Sequence, residues 1–236
     1  VVATKKCYIA EMNRRTRLMA SLQGQPVDRP PVCFYEIDGF TQDPDDPDPF
    51  NVFNDPSWRS LLQLAREQSD VIVNAGHGAT CVAPDPLAPL TRRDLWHDAQ
   101  GARFTRTTLR APGRTLTHLT RRDPEVNTVW TVEHLLKDED DLRAWLALPE
   151  QEPRYALDAA RTTAMEERVG DAGIVMLNIA DPVCRVASLF DLGAWTVLAM
   201  TAGDLVRQAL DRCQRHILAV LQLAARELPG RLWRIC

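Results

Sequence analysis

No uninterrupted apolar stretch in this chain approaches the roughly 20 residues that a membrane-spanning helix needs, so a membrane partner is not expected. There is no basic run, the net charge is −4, and aromatic residues make up only 6% of the chain. Nucleic-acid binding, which needs a positive footprint and rings to stack on bases, is therefore disfavoured. The cysteines Cys7, Cys33, Cys81, Cys184, Cys213 and Cys236 are scattered, with no Cys-x-x-Cys pair among them. That argues against a disulfide framework and for reduced thiols in a cytoplasmic protein. The opening residues VVATKKCYIAEMN contain two lysines but no long apolar core, so they do not read as a signal peptide. No internal repeat is visible.

What is present is a rhythm of capped helices and short apolar runs. The stretch Asn13 to Asp38 reads as a helix, a stop, a stiff connector and a strand. Asn13 is the N-cap, Leu18, Met19 and Leu22 form the apolar stripe, and Gly24 ends the helix. Pro26, Pro30 and Pro31 stiffen the connector, and Val32 to Ile37 is a first strand. The acidic, proline-rich segment from Thr41 to Asp55 reads as a solvated loop. It lacks the glycine and distal glutamate of a calcium loop. Asp55-Pro56 opens a helix to Ser69, with Trp58, Leu61, Leu62 and Ala65 on one side, and a second strand follows at Val71 to Ala75. Residues 94–136 break the rhythm: two alternating runs flank Ala111-Pro112-Gly113, a hairpin signal, and a third antiparallel strand follows from Trp130. Asp138 caps a helix to about Leu148, and a further helix is expected from Pro153 to Val169. Then come a buried strand at Ile174 to Ile179, helices at Gly193 to Met200 and Asp204 to Leu228, and a strand beginning at Arg231.

Strand–helix–strand order predicts parallel α/β units, which bind ligands beyond the C-terminal ends of their strands. Those ends carry Tyr35, Glu36 and Asp38; Asn74 and His77; Asn178, Asp181 and Arg185; and Arg234. Glu36 and Asp181 offer acid or base groups, and His77, between two glycines, a proton shuttle. Arg185 and Arg234 are suited to substrate carboxylates, and the remaining residues to substrate binding. His77 and Cys81 are a lone pair that does not read as a metal site. His134 is expected on a solvent face and His216 partly buried in a helix.

The run Arg14-Arg15-x-Arg17-Leu18, followed by Gly24-x-Pro26-Val27-Asp28-Arg29-Pro30-Pro31-Val32, resembles the opening of the uroporphyrinogen decarboxylase-like superfamily. So do the Gly113-Arg114-Thr115 hairpin, Trp130 to Leu135, the run Lys137 to Leu142, and the Ala187-Ser188 pair. The resemblance implies a (β/α)₈ TIM barrel, commonly about 250 residues or more. Four core strands are legible here: 32–37, 71–75, 174–179 and 232–235. The chain then reads as a single domain over residues 1–236 holding about the first half of a barrel, with the 94–136 hairpin excursion as an insertion. It would be an N-terminal fragment of a longer protein, or a half-barrel completed by a second copy in a homodimer.

The superfamily holds the haem-pathway decarboxylases and the corrinoid- or cobalamin-dependent methyltransferases. The decarboxylases resemble one another in an arginine-rich run after the first strand; here Asp38-Gly39-Phe40-Thr41-Gln42 stands there. They carry an aspartate at the end of the second strand, where this chain has Asn74, and a tyrosine after the Ala-Ser pair, where it has Leu189-Phe190. The resemblance thus implies a methyltransferase-type enzyme acting on a small molecule or a corrinoid, with a corrinoid protein as partner and zinc held by residues of the second half. The alternatives are a tetrapyrrole decarboxylase, needing no cofactor, and a non-catalytic half-barrel.

Overall fold

The computed structural model describes residues 10–34 and 36–235, so Tyr35, Cys7 and Cys236 lie outside the described residues. It is a mixed α/β structure, and the strands among the described residues form three separate sheets. The first helix, α1 (Arg14–Leu22), starts where the Asn13 side chain accepts the Thr16 amide at 2.7 Å. Leu18 is buried, but Leu22 is 56% exposed, so the expected stripe is shorter than its spacing implies. Gly24, at φ +68°, turns the chain out of the helix as the sequence predicts. Helix α2 (Ser57–Gln68) buries Leu62 and Ala65, with the Asp55 carboxylate accepting the Ser57 amide.

The central sheet is parallel, in the order β1 (Val71–Gly76), β8 (Gly173–Ile179), β9 (Leu232–Ile235). These are three of the four core strands expected. The fourth is a correction: the described residues of that run, 32–34 and 36–37, form no strand. Val32 is 64% exposed, and its carbonyl accepts one bridging bond, from the Asp70 amide at 2.7 Å. Pro30 and Pro31 remove donors just before the run, and Val32 and Phe34 find no layer to bury them. The sheet stays open, so no closed TIM barrel is seen among the described residues.

Two further sheets surround it. A short ribbon pairs β2 (Ala79–Cys81) with β7 (Tyr155–Leu157). A four-stranded antiparallel sheet runs β3 (Thr91–His97), β4 (Arg103–Ala111), β5 (Arg114–Arg122), β6 (Val129–Glu133). The hairpin at Ala111-Pro112-Gly113 forms as expected, with Gly113 at φ +73°. The excursion is larger than residues 94–136, because Thr91-Arg92-Arg93 open β3 with no apolar alternation to announce it. A second correction concerns Pro153 to Val169. Helix α4 (Ala159–Val169) begins only after Asp158, whose carboxylate accepts the Ala160 amide, and β7 occupies the residues before it.

The remaining helices are α3 (Glu139–Leu146), capped by Asp138, α5 (Pro182–Ala187), α6 (Leu192–Thr201) and α7 (Gly203–Glu227). One core lies between the antiparallel sheet and these helices: Leu109, Leu116, Leu136, Leu142, Val186, Phe190 and Ala209. A second packs Val71, Val73 and Val175 against Phe40 and, from α4, Met165 and Val169. A third joins Ile179 to Ile217 and Val220 of α7. At 25 residues α7 spans about 37 Å, long enough to serve the first and third cores together. No described helix is long and apolar enough to cross a membrane.

Candidate functional site at the strand ends

Side chains alternate across a strand, and the register of the parallel sheet fixes which of them share a face. Ile72, Asn74 and Gly76 of β1 lie beside Ile174, Met176 and Asn178 of β8, with Leu232 and Arg234 of β9 alongside. On the opposite face, Val71, Val73, Val175, Leu177 and Ile179 are buried, with α4 and α7 among the elements over them. The first face is only half covered at Asn74, Met176, Asn178 and Arg234.

That face carries a polar cluster near its C-terminal end. Asn178 stands between Gly76 and Arg234 in register, and a side chain at Gly76 would meet only open space. The amide oxygens of Asn74 and Asn178 are both buried without a hydrogen-bond partner. A buried acceptor left unpaired costs free energy, so each is a place where a ligand N–H or O–H would be stabilised. Glu36, Asp38, Thr41, Asn74 and Arg234 line a recess of about 310 Å³ at this end. Asp38 is committed locally: one oxygen accepts the Phe40 and Thr41 amides, and the other the Thr41 hydroxyl. Glu36 is exposed there and its carboxylate is not so engaged.

The other candidates lie on the helix-covered side. His77 and Arg185 line a cavity of about 530 Å³ together with Tyr155, Arg212, Cys213 and His216. The His77 Nδ1 accepts the Ala79 amide at 3.1 Å, which places the ring proton on Nε2. Burial, aided by the Arg185 charge, holds its pKa below the ordinary histidine value. Tyr155 Oη and His216 Nδ1 are 2.9 Å apart. Burial lowers the His216 pKa and raises those of Tyr155 and the Cys213 thiol, so Cys213 stays protonated. Glu150 is held by Arg215 through both oxygens, at 2.9 and 2.5 Å. Arg212 donates to the Trp145 and Pro149 carbonyls and lies over the Trp145 ring. Asp181 caps α5, accepting the Cys184 amide at 2.8 Å, a bond that pulls its pKa down.

The structure thus separates the sequence-predicted residues into two groups. Glu36, Asp38, Asn74, Asn178 and Arg234 gather on the open face of the sheet, and His77 and Arg185 on the other; Asp181, expected as an acid or base, lines neither recess and instead caps α5. Sequence reasoning did not single out Tyr155, Glu150, Arg212 or Cys213. Asp158 as a helix cap would have left Tyr155 in an extended stretch, and that was the available signal. His134 is half-buried, its Nδ1 3.3 Å from the Ser188 carbonyl, rather than on a solvent face. His216 is partly buried in a helix, as expected. Among the described residues no group of three or more His, Cys, Asp or Glu side chains is placed to hold a metal ion.

No family model, curated protein or solved structure matches this chain.

Proposed function

We propose that the parallel sheet is part of the wall of a (β/α)₈ barrel of the uroporphyrinogen decarboxylase-like superfamily, and that the protein is a methyltransferase-type enzyme acting on a small methylated compound. The observation that carries this is the half-covered face of β1, β8 and β9. Parallel sheets are normally covered on both sides, and a barrel interior supplies the missing cover. The strands follow one another in chain order, as in a barrel, and polar side chains crowd their C-terminal ends, where barrel enzymes do their chemistry.

On that face Glu36 serves as the acid–base group, and the unpaired oxygens of Asn74 and Asn178 accept hydrogen bonds from the substrate. A corrinoid is then a co-substrate presented by a partner protein.

The local structure weighs against a tetrapyrrole decarboxylase. The segment after residue 37 offers no arginine of its own, and Arg66, which reaches it from α2, is occupied by the Gly39 carbonyl. Asn74 supplies no charge for pyrrole nitrogens. Phe190, near the place where the decarboxylases carry a tyrosine, is buried in the apolar core.

The test is a pair of assays on the protein at the length its gene encodes. Transfer of a methyl group from small methylated donors to cob(I)alamin is read from the cobalamin absorbance, and carbon dioxide release from uroporphyrinogen is read in parallel. Methyl transfer that falls at least tenfold in Glu36→Gln, without decarboxylation, supports the proposal. Decarboxylation without methyl transfer contradicts it.

A further inference from the structure

The cavity on the helix-covered side is bounded by the β2–β7 ribbon and α7. It lies across the sheet from Asn74 and Asn178, so it is not part of the recess assigned to catalysis. We infer that it is a second binding site, for a small monocarboxylate with an apolar body, whose carboxylate is held by Arg185.

The cavity has the size and make-up of a small-molecule site. Its volume of about 530 Å³ falls within the usual range for such pockets. Ile179, Ile217, Val220 and Leu87 supply apolar wall, and a few polar groups converge on it.

Arg185 decides the charge. Among the described residues it has no carboxylate partner, whereas the other cation of the lining, Arg212, is tied to two backbone carbonyls and the Trp145 ring. It lines the same cavity as His77, Tyr155 and Cys213, and its charge bears on the pKa of each. The acids of the lining limit the ligand to one negative charge. Glu150 is already held by Arg215, and the Asp85 carboxylate accepts the Leu87 amide. A dianion would meet both with a single unpaired arginine in its favour. A planar carboxylate matches the fork of one guanidinium. The Tyr155 hydroxyl, 2.9 Å from the His216 Nδ1, adds a polar group to the same wall.

Titration calorimetry with phenylacetate and its neutral isostere phenylacetamide tests this in the full chain. Phenylacetate is expected to bind, phenylacetamide to bind at least tenfold more weakly, and Arg185→Gln to remove that preference. Arg185 is exposed, so its replacement should leave the fold intact, which circular dichroism checks. Arg207→Gln, on the exposed side of α7, should bind phenylacetate like the wild type. Equal binding of acid and amide, an unchanged affinity in Arg185→Gln, or no binding of phenylacetate at millimolar concentration would each overturn the inference. So would displacement of phenylacetate by equimolar inorganic phosphate, because the site would then read charge without an apolar body. None of these readouts depends on methyl transfer, so this inference and the proposed activity fail separately.

Discussion

Arg17 and Asp70 meet at 2.7 Å in the interior, the aspartate 0% exposed. Around them Arg17 also grips Asp28 at 2.7 Å through Nε and Nη2. Asp70 in turn receives Arg29 and the Val32 amide. This network ties α1, the proline connector and the start of β1 into one unit. Removing one partner of a buried pair leaves a charge uncompensated, which costs about 3–5 kcal/mol. Asp70→Ala is therefore expected to lower the unfolding free energy by about that amount, measured by urea denaturation. Wild-type stability in that variant would mean that the network is idle.

The same network sets the response to acid. The bond from Arg17 holds the Asp28 carboxyl well below its ordinary range. Burial works against ionising Asp70, but the bonds from Arg29, Val32 and Arg17 outweigh it and lower its pKa as well. A depressed carboxyl binds fewer protons folded than unfolded, so its stabilisation is present above about pH 4 and is lost as the pH falls below that value. The melting temperature should drop steeply between about pH 4 and pH 2.5, and the drop should be shallower in Asp70→Asn.

Histidines give a second, milder window. His77, His118 and His216 all have pKa values lowered chiefly by burial. The unfolded chain takes up their protons first, so stability is complete above about pH 6.5 and declines as the pH falls through that value. Melting curves from pH 7.5 to 5.5 should show this decline, and His118→Gln should reduce it. A flat profile would show that these rings do not resist protonation.

Gly173 lets β8 lie against β1. A β-carbon built there would sit 1.9 Å from the Val71 carbonyl oxygen. Its φ of 176° is ordinary extended backbone, so the constraint is one of space alone. Gly173→Ala is expected to destabilise the protein by about 3 kcal/mol, the upper part of the range for overpacking, as read by thermal or urea unfolding. A loss under about 0.5 kcal/mol would show that the strands can part freely.

The residues that carried the family resemblance explain what was legible in the sequence. Arg17, Asp28 and Arg29 are conspicuous in the sequence because the buried network needs those charges at those positions. The three parallel strands were legible as short apolar runs behind capped helices. The run at Val32 looked equally strand-like, but its fate depends on which neighbours cover it, and spacing cannot reveal that. The β2–β7 ribbon was hidden because three-residue strands carry no periodicity. Its loss concealed Tyr155, and with it the cavity that His77 and Arg185 share. The split of the candidates between two faces follows from register, which the order of residues within one strand does not contain.

The most direct test of the account is a crystal structure of the protein at the length its gene encodes. The account predicts that β1, β8 and β9 lie side by side in a closed parallel barrel, with Asn74 and Asn178 facing its interior. A structure in which helices cover that face of an open sheet would contradict it.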